Sequence, residues 1–140
     1  MARTFIFDTP DPTEDGYALT WDNTQQVVVP GAQKRRHQTV TADTSTALTV
    51  ASAHVDGIVT LSNAAAVTVT LPQYSDDPIP VGATVDLMQL GAGQVTVAAG
   101  TGATLRVSGL TAKARAQYSR LRVTKIATST WVVDGDVAAA

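Results

Sequence analysis

From Gln38 onward the chain alternates apolar and polar side chains, two residues to the period, in short runs cut by glycine or proline. This pattern constrains the fold more than any other feature, because successive side chains point to opposite faces of a strand and not of a helix. Leu48 and Val50 flank Thr49, and Val59 and Leu61 alternate with Ile58 and Thr60. Val67, Val69 and Leu71 face one side while Thr68 and Thr70 face the other. Val85 and Leu87 alternate with Asp86 and Met88, Val95 and Val97 enclose Thr96, and Leu105 and Val107 enclose Arg106. Leu121 and Val123 lie among Arg120, Arg122 and Thr124, and Thr130 to Val133 closes the series with Trp131. About eight strands at spacings of roughly 8–12 residues indicate an all-β domain of sandwich, jelly-roll or small-barrel type. The expected fold is a compact antiparallel β-sandwich or jelly-roll-like domain preceded by an extended N-terminal arm.

The breaks between runs carry turn chemistry. Asp56-Gly57 suits a tight hairpin that needs positive φ. Gly91-Ala-Gly93, Gly100-Thr-Gly102, Ser108-Gly109 and Asp134-Gly135 punctuate the remainder as further hairpins or turns. Pro72, Pro78 and Pro80 bracket a loop, Gln73 to Ile79, that cannot be a central strand. Only Ala112–Ala116 reads as a short helical turn, and no repeat of fixed period stands out.

What fills such strands is unusual. The 140 residues include 21 Thr, 18 Val and 22 Ala against 4 Ile, 9 Leu and 2 Phe. Thr and Val stiffen the backbone toward extended conformations, so the expected core is thin and made of small side chains, and neighbours are expected to supply part of the stability. The same composition argues against an enzyme, with 2 His, 1 Glu and no Cys. Without Cys there are no disulfides, no thiolate catalysis and no Cys-ligated zinc. A formal net charge of −2 argues against a general nucleic-acid binder. No signal peptide is visible at Met1–Asp8, and the uncharged stretches 57–75 and 87–105 are too rich in Thr, Pro and Gly to read as membrane helices.

Residues 1–38 differ from the rest. Asp8-Thr-Pro-Asp-Pro-Thr-Glu-Asp-Gly16 is turn chemistry without strand period, flanked by Phe5-Ile6-Phe7 and Val27-Val28-Val29. Four of the seven aromatic residues, Phe5, Phe7, Tyr17 and Trp21, fall in this arm. Large aromatics in a segment with little core of its own pack against something else, so these four and the basic knot Lys34, Arg35 and Arg36 are the expected arm interface. The β domain spans 39–137, and 138–140 form a flexible tail.

Charge is segmented. The first 33 residues are acidic, no Lys or Arg occurs from His37 to Leu105, and Arg106 to Lys125 holds six cations and no acid. Arg120 and Arg122 share one face of a strand. Like charges on one face repel unless acids oppose them, and Asp86 or the pair Asp76 and Asp77 are the acids available, within the chain or across an interface. These residues are the expected interface of the β domain.

Other constellations are weaker. The glycines at 91, 93, 100 and 102 lack the Gly-Lys-Ser/Thr and helix of a phosphate loop. The acids at 8, 11, 14 and 15 do not keep calcium-loop spacing. His37 and His54 have no spaced partner for a triad or a metal. Asp76-Asp77 and Asp134/Asp136 are formally paired carboxylates, but few aromatics exist to line a sugar cleft. The expectation is no catalytic residue, no cofactor and no metal.

Six stretches taken together resemble a known group. Val67-Thr-Val-Thr-Leu-Pro72, Ile79-Pro-Val-Gly82 and Val85-Asp-Leu-Met-Gln-Leu-Gly-Ala-Gly-Gln-Val-Thr-Val97 are followed by Gly100-Thr-Gly102, by Tyr118-Ser-Arg-Leu-Arg-Val-Thr-Lys-Ile-Ala127 and by Thr130-Trp-Val-Val-Asp-Gly-Asp136. Over about residues 40–137 this set is similar to a β domain of tailed-bacteriophage virion proteins, particularly from phages of actinobacteria, found in tail-fibre-like and small head or tail proteins. The resemblance implies a non-enzymatic virion component, a homotrimer, with Trp131 as a core or interface anchor. A short chain with one β domain and an arm implies a capsid decoration protein on the major capsid protein, at the capsid surface. The alternative is a tail, baseplate or fibre-tip protein whose loop Gln73–Ile79 contacts host glycans. Nucleic acid and membrane are not expected partners.

Overall fold

The structure, a computed structural model, describes residues 19–22, 27–30, 38–107 and 110–140. The chain divides into two compact units, Met1–His37 and Gln38–Ala140. In the first, β1 (Leu19–Asp22) and β2 (Val27–Pro30) pair antiparallel with Trp21 opposite Val28. Phe5, Phe7, Tyr17, Lys34, Arg35 and Arg36 lie outside the described residues.

The second unit is nearly all strand, as its alternation requires. It comprises β3 (Val40–Asp43), β4 (Ala47–Thr49), β5 (Ile58–Leu61), β6 (Val67–Leu71), β7 (Thr84–Gln89), β8 (Val95–Ala99), β9 (Thr104–Val107), β10 (Arg120–Ala127) and β11 (Thr130–Gly135). The chain steps between two sheets. One has the order β3-β5-β7-β10-β11-β9, the other β4-β6-β8. β3, β5 and β7 run parallel, and so do β4, β6 and β8. Each pair β3/β4, β5/β6 and β7/β8 is therefore one rung of a stack, and its linker is an arch between sheets.

This corrects the antiparallel expectation. Among the described strands of this unit, antiparallel ladders join β7 to β10 and β10 to β11, while β9 joins β11 in parallel. Asp56 does take positive φ, at 57°, but it leads from the 3-10 turn Ser52–His54 into β5 and closes no hairpin. His54 is used locally, its Nδ1 accepting from the Ala51 N–H at 3.0 Å. Gly91 and Gly93 also sit in an arch. A Cβ on Gly93 would lie 1.8 Å from the Ala65 carbonyl oxygen, and one on Gly91 2.1 Å from that of Asn63. Their role is close approach between stacked arches. The arches are tied by Gly93 N–H donating to Asn63 O at 2.9 Å and by Asn63 Nδ2 donating to Thr44 O at 2.7 Å.

Ala112–Ala116 is not helical. Lys113 bridges Thr96 and Ala114 bridges Val137, so this segment covers the outer edge of β8. Ala138, placed in the tail by sequence, is tied to the fold, its N–H donating to Lys113 O at 2.8 Å. Inward side chains of both sheets form one core that includes Val59, Leu61, Val69, Leu71, Val85, Leu87, Val97, Leu121, Val123 and Trp131. It is built largely of valine and leucine, with Trp131 the largest buried side chain. Among the described residues no helix is long and apolar enough to cross a membrane.

Candidate functional site: a charged face on the six-stranded sheet

The register of the large sheet sets Asp86 of β7 beside Arg122 of β10, and Arg122 beside Asp134 of β11. These residues share the face away from the core, with Arg120 two positions along β10. Arg122 grips Asp86 with both arms of its guanidinium, Nε to Oδ1 at 2.9 Å and Nη2 to Oδ2 at 3.2 Å. Arg120 also donates to Asp86 Oδ2, and Gln38 Nε2 adds a bond at 3.2 Å. Under these donors Asp86 is 1% exposed, while the arginine side chains remain 42% and 48% exposed. Burial pushes the Asp86 carboxyl upward, but the bonds from Arg122, Arg120 and Gln38 outweigh it and hold the pKa at about 2. In return Asp86 raises the pKa of the Arg122 guanidinium.

An open depression of about 310 Å³ lies over the cluster, lined by Asp86, Arg120, Arg122, Asp134 and Gly135. Beside it Asp136 takes Nε and Nη2 of Arg115 at 2.6 and 3.1 Å and the Ser119 hydroxyl at 2.7 Å. The hydrogen bonds from Arg115 and Ser119 lower the Asp136 pKa. Chemically the face offers guanidinium edges already fixed in position, with Asp134 as an acidic neighbour. It suits a partner that carries carboxylates near a cation.

Of the residues expected at the β-domain interface, the structure joins Arg120 and Arg122 to each other, through Asp86 of the same chain. It does not bring Asp76 and Asp77 to them. Asp76 accepts from Gln73 Nε2 at 3.1 Å, and Asp77 caps the Ser52 N–H at 2.8 Å. Among the described residues no group of three or more His, Asp or Glu is arranged to hold a metal.

Sequence reasoning passed over Lys125. It faces the core at 1% exposure, with Nζ donating to Ile79 O at 2.7 Å. The ammonium lies 5.0 Å from the Tyr74 ring centre and 5.6 Å from that of Trp131. Desolvation lowers its pKa, with Asp77 opposing. The signal was available, since the alternation Leu121, Val123 reaches Lys125 at the next step. Trp131 Nε1 donates to Pro72 O at 3.0 Å, so both large side chains anchor the loop between Pro72 and Pro80.

Compared with protein-family models and with curated proteins, the chain matches none.

Proposed function

We propose that this chain is a non-enzymatic structural protein of a tailed-phage particle, a capsid decoration protein that binds the major capsid protein and reinforces the outer capsid surface. The resemblance over residues 40–137 supplies the class. The observation that carries the docking role is Asp86 holding Arg120 and Arg122 on the exposed face of the large sheet. Guanidiniums fixed before contact lose little freedom on binding, and their register sets orientation. In this reading the arm with Phe5, Phe7, Tyr17, Trp21 and Lys34-Arg-Arg36 lies on the shell or on a neighbouring copy.

The test is cosedimentation of the full chain with purified phage capsids. Arg120→Ala/Arg122→Ala is expected to weaken capsid binding at least tenfold, and deletion of residues 2–36 to weaken it as well. Unchanged binding for both removes this reading. A second reading, a tail or fibre-tip protein touching host glycans, is favoured by the loop Gln73–Ile79, where the Tyr74 ring is half exposed. Immunogold labelling of intact virions separates the two, because a tail position excludes capsid decoration.

A further inference from the structure

The stack of rungs ends differently at its two ends. Beyond β8 the segment around Lys113 covers the small sheet. At the other end, among the described residues, no strand pairs with the outer edge of β3 or of β4. Thr39 O accepts from Ile58 of β5, Asp43 O from Ser62 just after β5, and Thr46 O from Thr68 of β6. A parallel ladder alternates its bonding residues, so the backbone groups of Val40 and Ala42 in β3, and of Ala47 and Thr49 in β4, point outward; the Ala47 carbonyl is met by the Ser45 hydroxyl at 2.8 Å and keeps its second lone pair for a further donor. All four residues are exposed, Val40 to 63%.

Natural sheets block such edges with lysine, proline, bulges or inward charges. The first rung, residues 39–50, has none of these. Its single charge, Asp43, is occupied by the Ser45 N–H and hydroxyl at 2.7 and 2.6 Å. The core also reaches this end incompletely closed. Thr41 sits beside buried Val59 and Leu48 beside buried Val69, yet both remain half-buried.

We propose that the first rung is a self-pairing surface whose partner is the same rung of a second copy, related by a twofold axis normal to both sheets. A dyad through Thr41 sets Val40 opposite Ala42 of the other copy as a mutually bonded antiparallel pair, and Thr41 opposite its own equivalent. A dyad through Leu48 does the same with Ala47 and Thr49. Thr41 and Leu48 each stand three residues from the Thr44–Ser45 peptide at the top of the arch, so the arch brings them to one level of the stack. A single axis therefore completes both sheets at once and closes the core end with Thr41 and Leu48 of each copy. An isologous contact of this kind needs no second surface, and the one charge of each rung, Asp43, lies two positions from the dyad, opposite Thr39 of the other copy and not opposite its own equivalent. Strands this short bury less than a standard interface of about 1,600 Å², so the pairing is concentration-dependent. It is independent of the capsid reading, and it gives the free chain a twofold partner where the resemblance implied a threefold one.

The test uses the full chain, which has no cysteine of its own. Sedimentation across a hundredfold concentration range is expected to show mass rising from one copy toward two. Ala42→Pro/Thr49→Pro removes two outward donors and no inward one, and is expected to move the midpoint at least tenfold upward with an unchanged strand spectrum. In Thr41→Cys, mild oxidation is expected to give a disulfide-linked dimer, because directly opposed residues of a non-bonded antiparallel pair stand at bridging distance. The control Thr104→Cys, on β9, is expected to give no disulfide-linked dimer under the same oxidation. Three results overturn the proposal: a threefold mass, a single-copy mass at every concentration, or a folded Thr41→Cys chain that does not cross-link. Slow amide exchange at Val40, Ala42, Ala47 and Thr49 at single-copy mass would assign both edges to a strand of the same chain instead.

Discussion

Asp86 faces outward on β7, yet Arg120, Arg122 and Gln38 close over it and leave it 1% exposed. The three donors stabilise the carboxylate more than burial destabilises it, and the result is measurable. Its folded pKa is about 2 against an ordinary 3.8. A depressed carboxyl contributes stability that is complete above its unfolded pKa and lost as pH falls through the folded one. Asp86 thus contributes about 1–2 kcal/mol at neutral pH, less than the full shift implies because the guanidiniums are nearly half exposed. That contribution disappears between about pH 4 and pH 2. Asp86→Asn is expected to lower stability by this amount at pH 7 and to match the parent near pH 2, as read by urea unfolding at each pH. Asp43 and Asp136 are also lowered, so the variant keeps a shallower acid slope. The sequence showed that Arg120 and Arg122 share a face and that Asp86 was one acid able to oppose them. It did not show the burial, because that depends on which strand lies beside β10, and the spacing of residues within β10 carries no such information.

Side-chain alternation belongs to the single strand, so the inward residues of β5 to β11 were readable one element at a time. The pairing of elements was not. A glycine turn that closes a hairpin and a glycine that lets one arch rest on another use the same residue, and the distinction rests on backbone far away in sequence. Gly93 makes the difference testable. Its N–H bonds Asn63, and a Cβ there would collide with Ala65 backbone, so Gly93→Ala is expected to cost about 3 kcal/mol or more in thermal or urea unfolding. A hairpin turn open to solvent would tolerate the same methyl. The loop from Pro72 to Pro80 offers a second check. Lys125 holds it through Ile79 O, Trp131 through Pro72 O and Ser129 Oγ through the Tyr74 N–H at 3.2 Å. Lys125→Met keeps the apolar stem and removes the ammonium. It is expected to raise the rate of limited proteolysis within Gln73–Ile79 severalfold while leaving the Trp131 fluorescence maximum in place.

For residues 38–140 as a whole, stability grades along the stack. β7 is flanked by β5 and β10 in one sheet, whereas, among the described residues, β3 and β4 have a neighbour on one side only. Local opening follows such differences. In dilute solution, backbone amides of the first rung are expected to exchange with solvent faster than those of β7 and β10, by hydrogen exchange read residue by residue. The repeat that produces this gradient was hidden in the sequence because the rungs are unequal. Val40 pairs with Ile58 and Ile58 with Asp86, so the second circuit is much longer than the first and no fixed period survives. The surplus sits mainly in one connection, between Leu71 and Thr84, outside both ladders. Closing a longer loop costs little, roughly 0.6 kcal/mol for each doubling. A chain of this architecture can therefore acquire insertions on that flank, or carry a grafted peptide there, while every strand register in the stack stays as it is.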